Sequence, residues 1–209
     1  MKGKKENIRE DRIASENSIE KVIRALKENG INALYAEDEG EARELVFRLL
    51  PGGAEVMAMS SVTLDDLGIS NKINEGGFES VKDKLKSMDQ EMQGKEMRKM
   101  GAVVDYAIGS AQAVTEDGRI AIASATGSQM PAYVYGAGYV IFIIGAQKIV
   151  KDLDEAIRRI YEYCLPLESE RAKKAYGVAG SSVNKILIIN KEVKEGRINV
   201  IIVNKALGF

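Results

Sequence analysis

Three short segments gather hydroxyl, amide and glycine residues directly after stretches that read as strands. They are "SSVT" after "AEVMAM", "GSAQ" after "VVDYAI" and "SATGSQ" after "RIAIA". Such segments can hold an anion. Gly127 permits positive φ and close backbone approach, and a turn built on it can aim successive N–H groups at one oxyanion. Thr126, Ser128 and Gln129 add side-chain donors, and a helix starting near Ser128 would add its dipole. The alternative is that Ser128 only caps that helix, with Pro131 tolerated in the first turn. The same two readings apply earlier. Ser61 or Thr63 caps a helix with Asp65 and Asp66 in its first turn, or lines a pocket with Gly109, Ser110 and Gln112. Glu116 in "TEDG" is either a hairpin tip or a general base or nucleophile. Lys148 in "GAQKIV" either meets an anionic ligand, with a part in proton transfer, or is a solvated loop cation.

The composition narrows the chemistry. The chain holds 209 residues and no histidine. That removes Ser-His-Asp and Cys-His activation and histidine–zinc sites. Catalysis on this chain falls to Glu, Asp, Lys, Tyr, Ser, Thr or backbone groups. The one cysteine, Cys164, can neither close an internal disulfide nor ligate a cluster by itself. Asp89, Glu91 and Glu96 read as a solvated helical face, so no metal site and no cofactor is expected. A net charge of −1 argues against nucleic-acid binding. The longest apolar run, "YVIFIIGA", is too short to span a bilayer. No hydrophobic segment follows the basic start, so a cytoplasmic location is expected.

The elements that must carry these residues follow from hydropathy. A partial apolar stripe predicts a helix over 7–29. "INALYAE" reads as a strand, "DEGEARELVFRLL" as a helix with an acidic first turn, and "AEVMAM" as a buried strand. Residues 78–100 are helical by composition. "AVVDYAIGSAQAVTEDGRIAIAS" changes the period to two, with "EDG" as a hairpin turn. "YVIFIIG" is a strand buried on both faces. "DLDEAIRRIYEYCL" is an amphipathic helix ending at Pro166. "KILIIN" and "RINVIIVN" are two further strands. The alternation predicts an α/β fold with a mostly parallel, mixed sheet, whose ligand site lies beyond the strands' carboxyl ends.

Several segments together resemble the LUD domain, the lactate-utilisation (LutC-like) family. They are "GAEVMAMSSVTLDDLGI", the long run from "MRKMGAVVDYAIGSAQ" to "LESERAKKAYG", "SSVNKILIINKE" and "GRINVIIVNKALGF". The resemblance implies a three-layer α/β/α fold of the sugar-phosphate isomerase and CoA-transferase-like group. It covers most of the chain from about Gly53 to Phe209; the domain is expected at 31–209, with 1–30 as an N-terminal helical arm. It also implies a role in oxidising lactate or a related 2-hydroxy acid, with a small carboxylate or phosphate as ligand and iron–sulfur oxidoreductase subunits as partners. The alternatives are a non-catalytic subunit docking an iron–sulfur or flavin oxidoreductase, and a free-standing isomerase or CoA-transferase-like enzyme. A homo-oligomer remains open, and neither nucleic acid nor membrane is expected as a partner. Two departures stand out. Gln112 occupies a position where this subgroup usually has histidine, and Gln cannot titrate near neutrality. "AYGVAGSSVNK" replaces the cysteine-rich segment of another branch, so no cluster is expected there.

Overall fold

The computed structural model describes residues 12–209. Helix α1, Glu16–Glu28, begins where Ser15 accepts a hydrogen bond from the Ser18 amide. Residues 7–11 of the expected helix lie outside the described residues. Strand β1 (Asn32–Ala36) leads into α2 (Glu39–Leu49), capped by Asp38 through the Glu41 amide. Then come β2 (Glu55–Ala58), α3 (Val62–Asp66), α4 (Ile69–Asn74) and β3 (Glu79–Ser80). Helices α5 (Val81–Lys86) and α6 (Gln90–Ala102) follow. Residues 78–100 are thus two helices preceded by a two-residue strand. Asp89 accepts from the amides of Glu91 and Met92, which makes it the N-cap of α6.

The β-rich centre comprises β4 (Tyr106–Gly109), β5 (Ala113–Thr115), β6 (Ile120–Ser124), β7 (Tyr139–Gly145) and β8 (Ile149–Val150). Helix α7 (Leu153–Arg159) runs through a π-helical turn, Ile160–Cys164, into α8 (Leu165–Tyr176). Strands β9 (Lys185–Ile189) and β10 (Ile198–Val203) complete the order.

The strands form two sheets. One has six strands in the order β1-β10-β7-β4-β2-β3, and every pairing in it is parallel. Its middle strand, β7, is buried from Val140 to Gly145, as its unbroken apolar run requires. The antiparallel pairs are gathered in a second sheet, β8-β5-β6-β9, where the "EDG" turn joins β5 to β6. Because side chains alternate across each strand, the parallel sheet feeds two apolar clusters. Ile108, Ile141, Ile143 and Ile201 pack with Leu45 and Val46 of α2, Leu64 of α3, and Ile69 and Ile73 of α4. Phe142, Ile144, Val200 and Ile202 pack with Ile19, Val22 and Leu26 of α1 and with Val114, Ile120 and Ile122 of the second sheet. From Glu16 onward, the segment read as an N-terminal arm therefore supplies three core residues. Ala156 of α7 and Ile160 cover Ala113 and Ala121 on the second sheet's far face. The layered α/β architecture expected from the alternation is present.

One helix boundary is corrected. The amphipathic helix starting at Leu153 does not end at Pro166. Proline has no N–H to donate, which costs nothing only in the first turn of a helix, where that donor would have no acceptor. The π-helical turn breaks the repeat just before, so Pro166 sits in the opening turn of α8. Gly177, at φ +68°, ends that helix.

Candidate functional site

Parallel pairing brings the ends of β2, β4 and β7 to one edge of the sheet, and a cavity of about 620 Å³ opens there. Ser61 and Thr63 line it beyond β2, Ser110 and Gln112 beyond β4, and Lys148 beyond β7. Thr126, Ser128 and Gln129 line it from the second sheet, beyond β6. Eight residues singled out from the sequence thus share one cavity.

Lys148 is its centre. A single 3₁₀ turn, Ala146–Lys148, ends β7 and turns the lysine inward, leaving it 1 % exposed. Its Nζ donates to Thr63 Oγ1 at 2.9 Å and to Ser110 Oγ at 3.1 Å. Thr63 is itself buried and donates to the Leu207 carbonyl at 3.2 Å. An ammonium has three donors, so two go to protein hydroxyls. Burial, aided by the nearby Arg159 guanidinium, pulls the Lys148 ammonium down from 10.5 to about 7. Cys164 and Asp66 oppose that shift more weakly. Lys148 is therefore not a solvated loop cation.

The other residues divide. Ser61 occupies the N-cap position of α3 but makes no side-chain capping bond, and Thr63 bonds Lys148 and Leu207 instead of capping. Gln112 Oε1 accepts from the Ala123 amide at 2.8 Å, which bridges β5 to β6 and fixes the amide orientation. Gly109 does not line the cavity but shapes it. A Cβ there would meet the Tyr133 hydroxyl at 1.8 Å, and Tyr133 is a cavity wall. Gly127 takes φ +81°, as its turn requires. Its amide, however, donates to Ser124 Oγ at 2.9 Å, and the Ser128 amide donates to Thr126 Oγ1 at 3.3 Å. Both N–H groups that would cradle an anion thus already have acceptors within the turn. Nor does a regular helix follow: beyond Pro131 there is one π-helical turn, Ala132–Gly136, without a side-chain cap. What this segment offers the cavity is hydroxyl and amide side chains.

Glu116 lies elsewhere. At the β5–β6 turn it accepts from Lys21 Nζ at 2.6 Å and Ser18 Oγ at 3.3 Å, both on α1. It is not among the cavity residues.

The structure adds residues that the sequence reading passed over. The continuation of α8 beyond Pro166 carries Glu168, Arg171 and Tyr176 to the cavity. Arg171 makes a two-point ion pair with Glu168, at 2.7 Å through both Nε and one terminal nitrogen, and its guanidinium lies 5.3 Å from the Tyr176 ring centroid. Cys164 joins the wall from the π-helical turn, where Arg159 donates to its Sγ at 2.8 Å. Lys82 and Phe209 also line it. The available signal was the helical spacing of "LESERAKKAYG" up to its terminal glycine. Among the described residues no group of three or more His, Cys, Asp or Glu side chains is placed to hold a metal ion. No helix among them is long and apolar enough to cross a membrane.

A parallel sheet flanked by helices, with a polar cavity at its carboxyl edge, defines a layered α/β domain. The family model for the LUD domain matches residues 19–203, and the chain belongs to that family. Membership ties it in general terms to lactate utilisation. A crystal structure of a DUF162 family protein from Deinococcus radiodurans shares the fold, with a TM-score of 0.57 at 10% identity, covering 92% of this chain and all of that one. A crystal structure of eIF2B beta from Chaetomium thermophilum aligns over 56% of this chain and 44% of its own, at 14% identity and a TM-score of 0.39. No curated protein matches the chain in sequence.

Proposed function

We propose that the strand-end cavity binds a small anionic metabolite, a carboxylate or a phosphate, and that the protein serves lactate or related 2-hydroxy-acid utilisation through it. The observation that carries this reading is the buried Lys148 ammonium at the cavity floor, held by the Thr63 and Ser110 hydroxyls. An anion beside it offsets the desolvation that holds its proton loosely. Ser61, Thr126, Ser128 and Gln129 surround the same space with donors, and Lys82 and Arg171 add positive charge. The volume suits a ligand larger than lactate alone, so sugar phosphates and CoA esters belong in the test.

Anion binding restores the proton to Lys148. Affinity is therefore expected to fall as pH rises above about 7, with proton uptake on binding. Titration calorimetry with L-lactate, pyruvate, a sugar phosphate and a CoA ester, in buffers of different ionisation enthalpy, measures both. Lys148→Met is expected to weaken the preferred ligand at least about ten-fold, the loss of one charged hydrogen bond. Failure of all four ligands to bind, or unchanged affinity in that variant, would overturn the assignment.

A second reading, an accessory subunit docking an iron–sulfur or flavin oxidoreductase, draws on a different observation. Val103, Val134 and Tyr135 are exposed apolar side chains where the end of α6 meets the Ala132–Gly136 turn. Co-purification from the native host with Tyr135→Lys as the control tests it. A partner that is retained by the variant would remove this face from consideration.

A further inference from the structure

Lys148 has more chemistry available than charge pairing. It is a primary amine without bulk solvent around it, reached only through a cavity, with two hydroxyls on its nitrogen. Thr63 and Ser110 come from different strand ends, β2 and β4, so the amine is clamped from two sides. Ala111, Ile160, Cys164 and Leu165 give this part of the cavity an apolar wall. A desolvated lysine of this kind is the usual setting for covalent capture of a carbonyl compound.

We infer that Lys148 forms an imine with a small carbonyl-bearing acid, a 2-oxo acid, bound in the cavity. This rests on the cavity being a metabolite site, and it adds the class of ligand and the bond. A bound carboxylate favours the ammonium, so the step draws on the fraction of Lys148 that is neutral, whose Nζ attacks the carbonyl carbon. A C–N bond forms as the C=O π pair moves to oxygen, which takes a proton. Nitrogen then gives up its remaining proton, the C=N bond forms and water leaves. Amine and carbonyl go to imine and water, with no oxidant or reductant consumed. The Thr63 and Ser110 hydroxyls, each able to donate and accept, stand where the protons must move. The free amine this needs is present near neutrality because burial holds the ammonium at about 7. Surface lysines at an ordinary value are almost wholly protonated there. The ligand's carboxylate is left to the hydroxyl and amide side chains of Ser61, Thr126, Ser128 and Gln129.

The test is reductive trapping. The full chain is incubated with pyruvate and cyanoborohydride near neutral pH, followed by intact mass and peptide mapping. One reduced pyruvyl group on Lys148 is expected, at an occupancy roughly ten-fold or more above any surface lysine. L-Lactate, which lacks the carbonyl, should slow trapping by competition without forming an adduct. Lys148→Arg should keep the charge and lose the adduct. Should that variant misfold, the map of the parent protein decides alone. No adduct, or adducts spread evenly over exposed lysines, overturns the inference. Calorimetry on the same preparation separates the layers. Pyruvate or lactate heat without an adduct leaves the cavity reading standing and removes the imine. Neither heat nor adduct removes both.

Discussion

At the residue scale, Lys148 sets a cost as well as a chemistry. Its folded pKa, about 7, lies below the unfolded value of 10.5. Between those values the unfolded chain holds the extra proton, so stability rises with pH across that window. Below about 7 both states are protonated and the full desolvation penalty is present. Lys148→Met is therefore expected to be more stable than the parent at about pH 6, by about 1–4 kcal/mol. The advantage should shrink as pH climbs toward 10. Urea unfolding at several pH values measures it; an advantage independent of pH would mean that the ammonium is not desolvated. Little of this could be read from "GAQKIV". The letters show a lysine after a buried strand, but whether it turns inward is decided by a three-residue turn and by two hydroxyls from segments 38 and 85 positions away.

At the scale of elements, periodicity was legible and partnership was not. The period of two around "EDG", the unbroken run of β7 and the acidic start of α2 each fix local conformation, and each is found as read. Alternation says which face a residue takes, not which strand lies beside it. Hence the antiparallel pairs, expected within one mixed sheet, stand in a second sheet that also holds the parallel pair β5–β8. "SATGSQMP" resembled a helix start because Ser, Gly and Pro serve turns and caps alike. Pro166 resembled a helix stop because the π-helical turn before it leaves no mark in composition. Both π-helical turns contribute cavity walls, Tyr133 from one and Cys164 from the other. Such turns hold one residue more than an α-helix needs. Deleting the exposed Tyr161 should restore a continuous helix and rotate α8 by about 100°. That carries Arg171 and Tyr176 off the cavity. Circular dichroism should keep its helical signal while ligand affinity falls; unchanged affinity would show that α8 contributes nothing to binding.

At the scale of the molecule, α1 is fastened to the second sheet at two places. Lys21 and Ser18 hold Glu116, and Asn29 donates to the carbonyls of Asp117 and Gly118. Gly118 is part of that joint, because a Cβ there would meet the Ala25 carbonyl carbon at 2.7 Å. Glu116 is partly exposed, so its ion pair contributes little. Glu116→Gln is expected to lower stability by less than about 1 kcal/mol and to leave ligand affinity and any turnover unchanged. A large loss of turnover with intact binding would return Glu116 to the chemistry.

The strand order has a consequence for synthesis. Among the described residues β1 pairs only with β10, and β10 also closes against β7. A ribosome delivers β10 after the nine strands β1–β9. Until then β1 has no neighbour and β7 has one open edge. Leu207, whose carbonyl anchors Thr63 and Gln147, is later still. The nascent chain thus carries the lysine for most of its length as an ordinary basic side chain. The buried amine comes into being only when β10 slots between two strands that have been waiting for it.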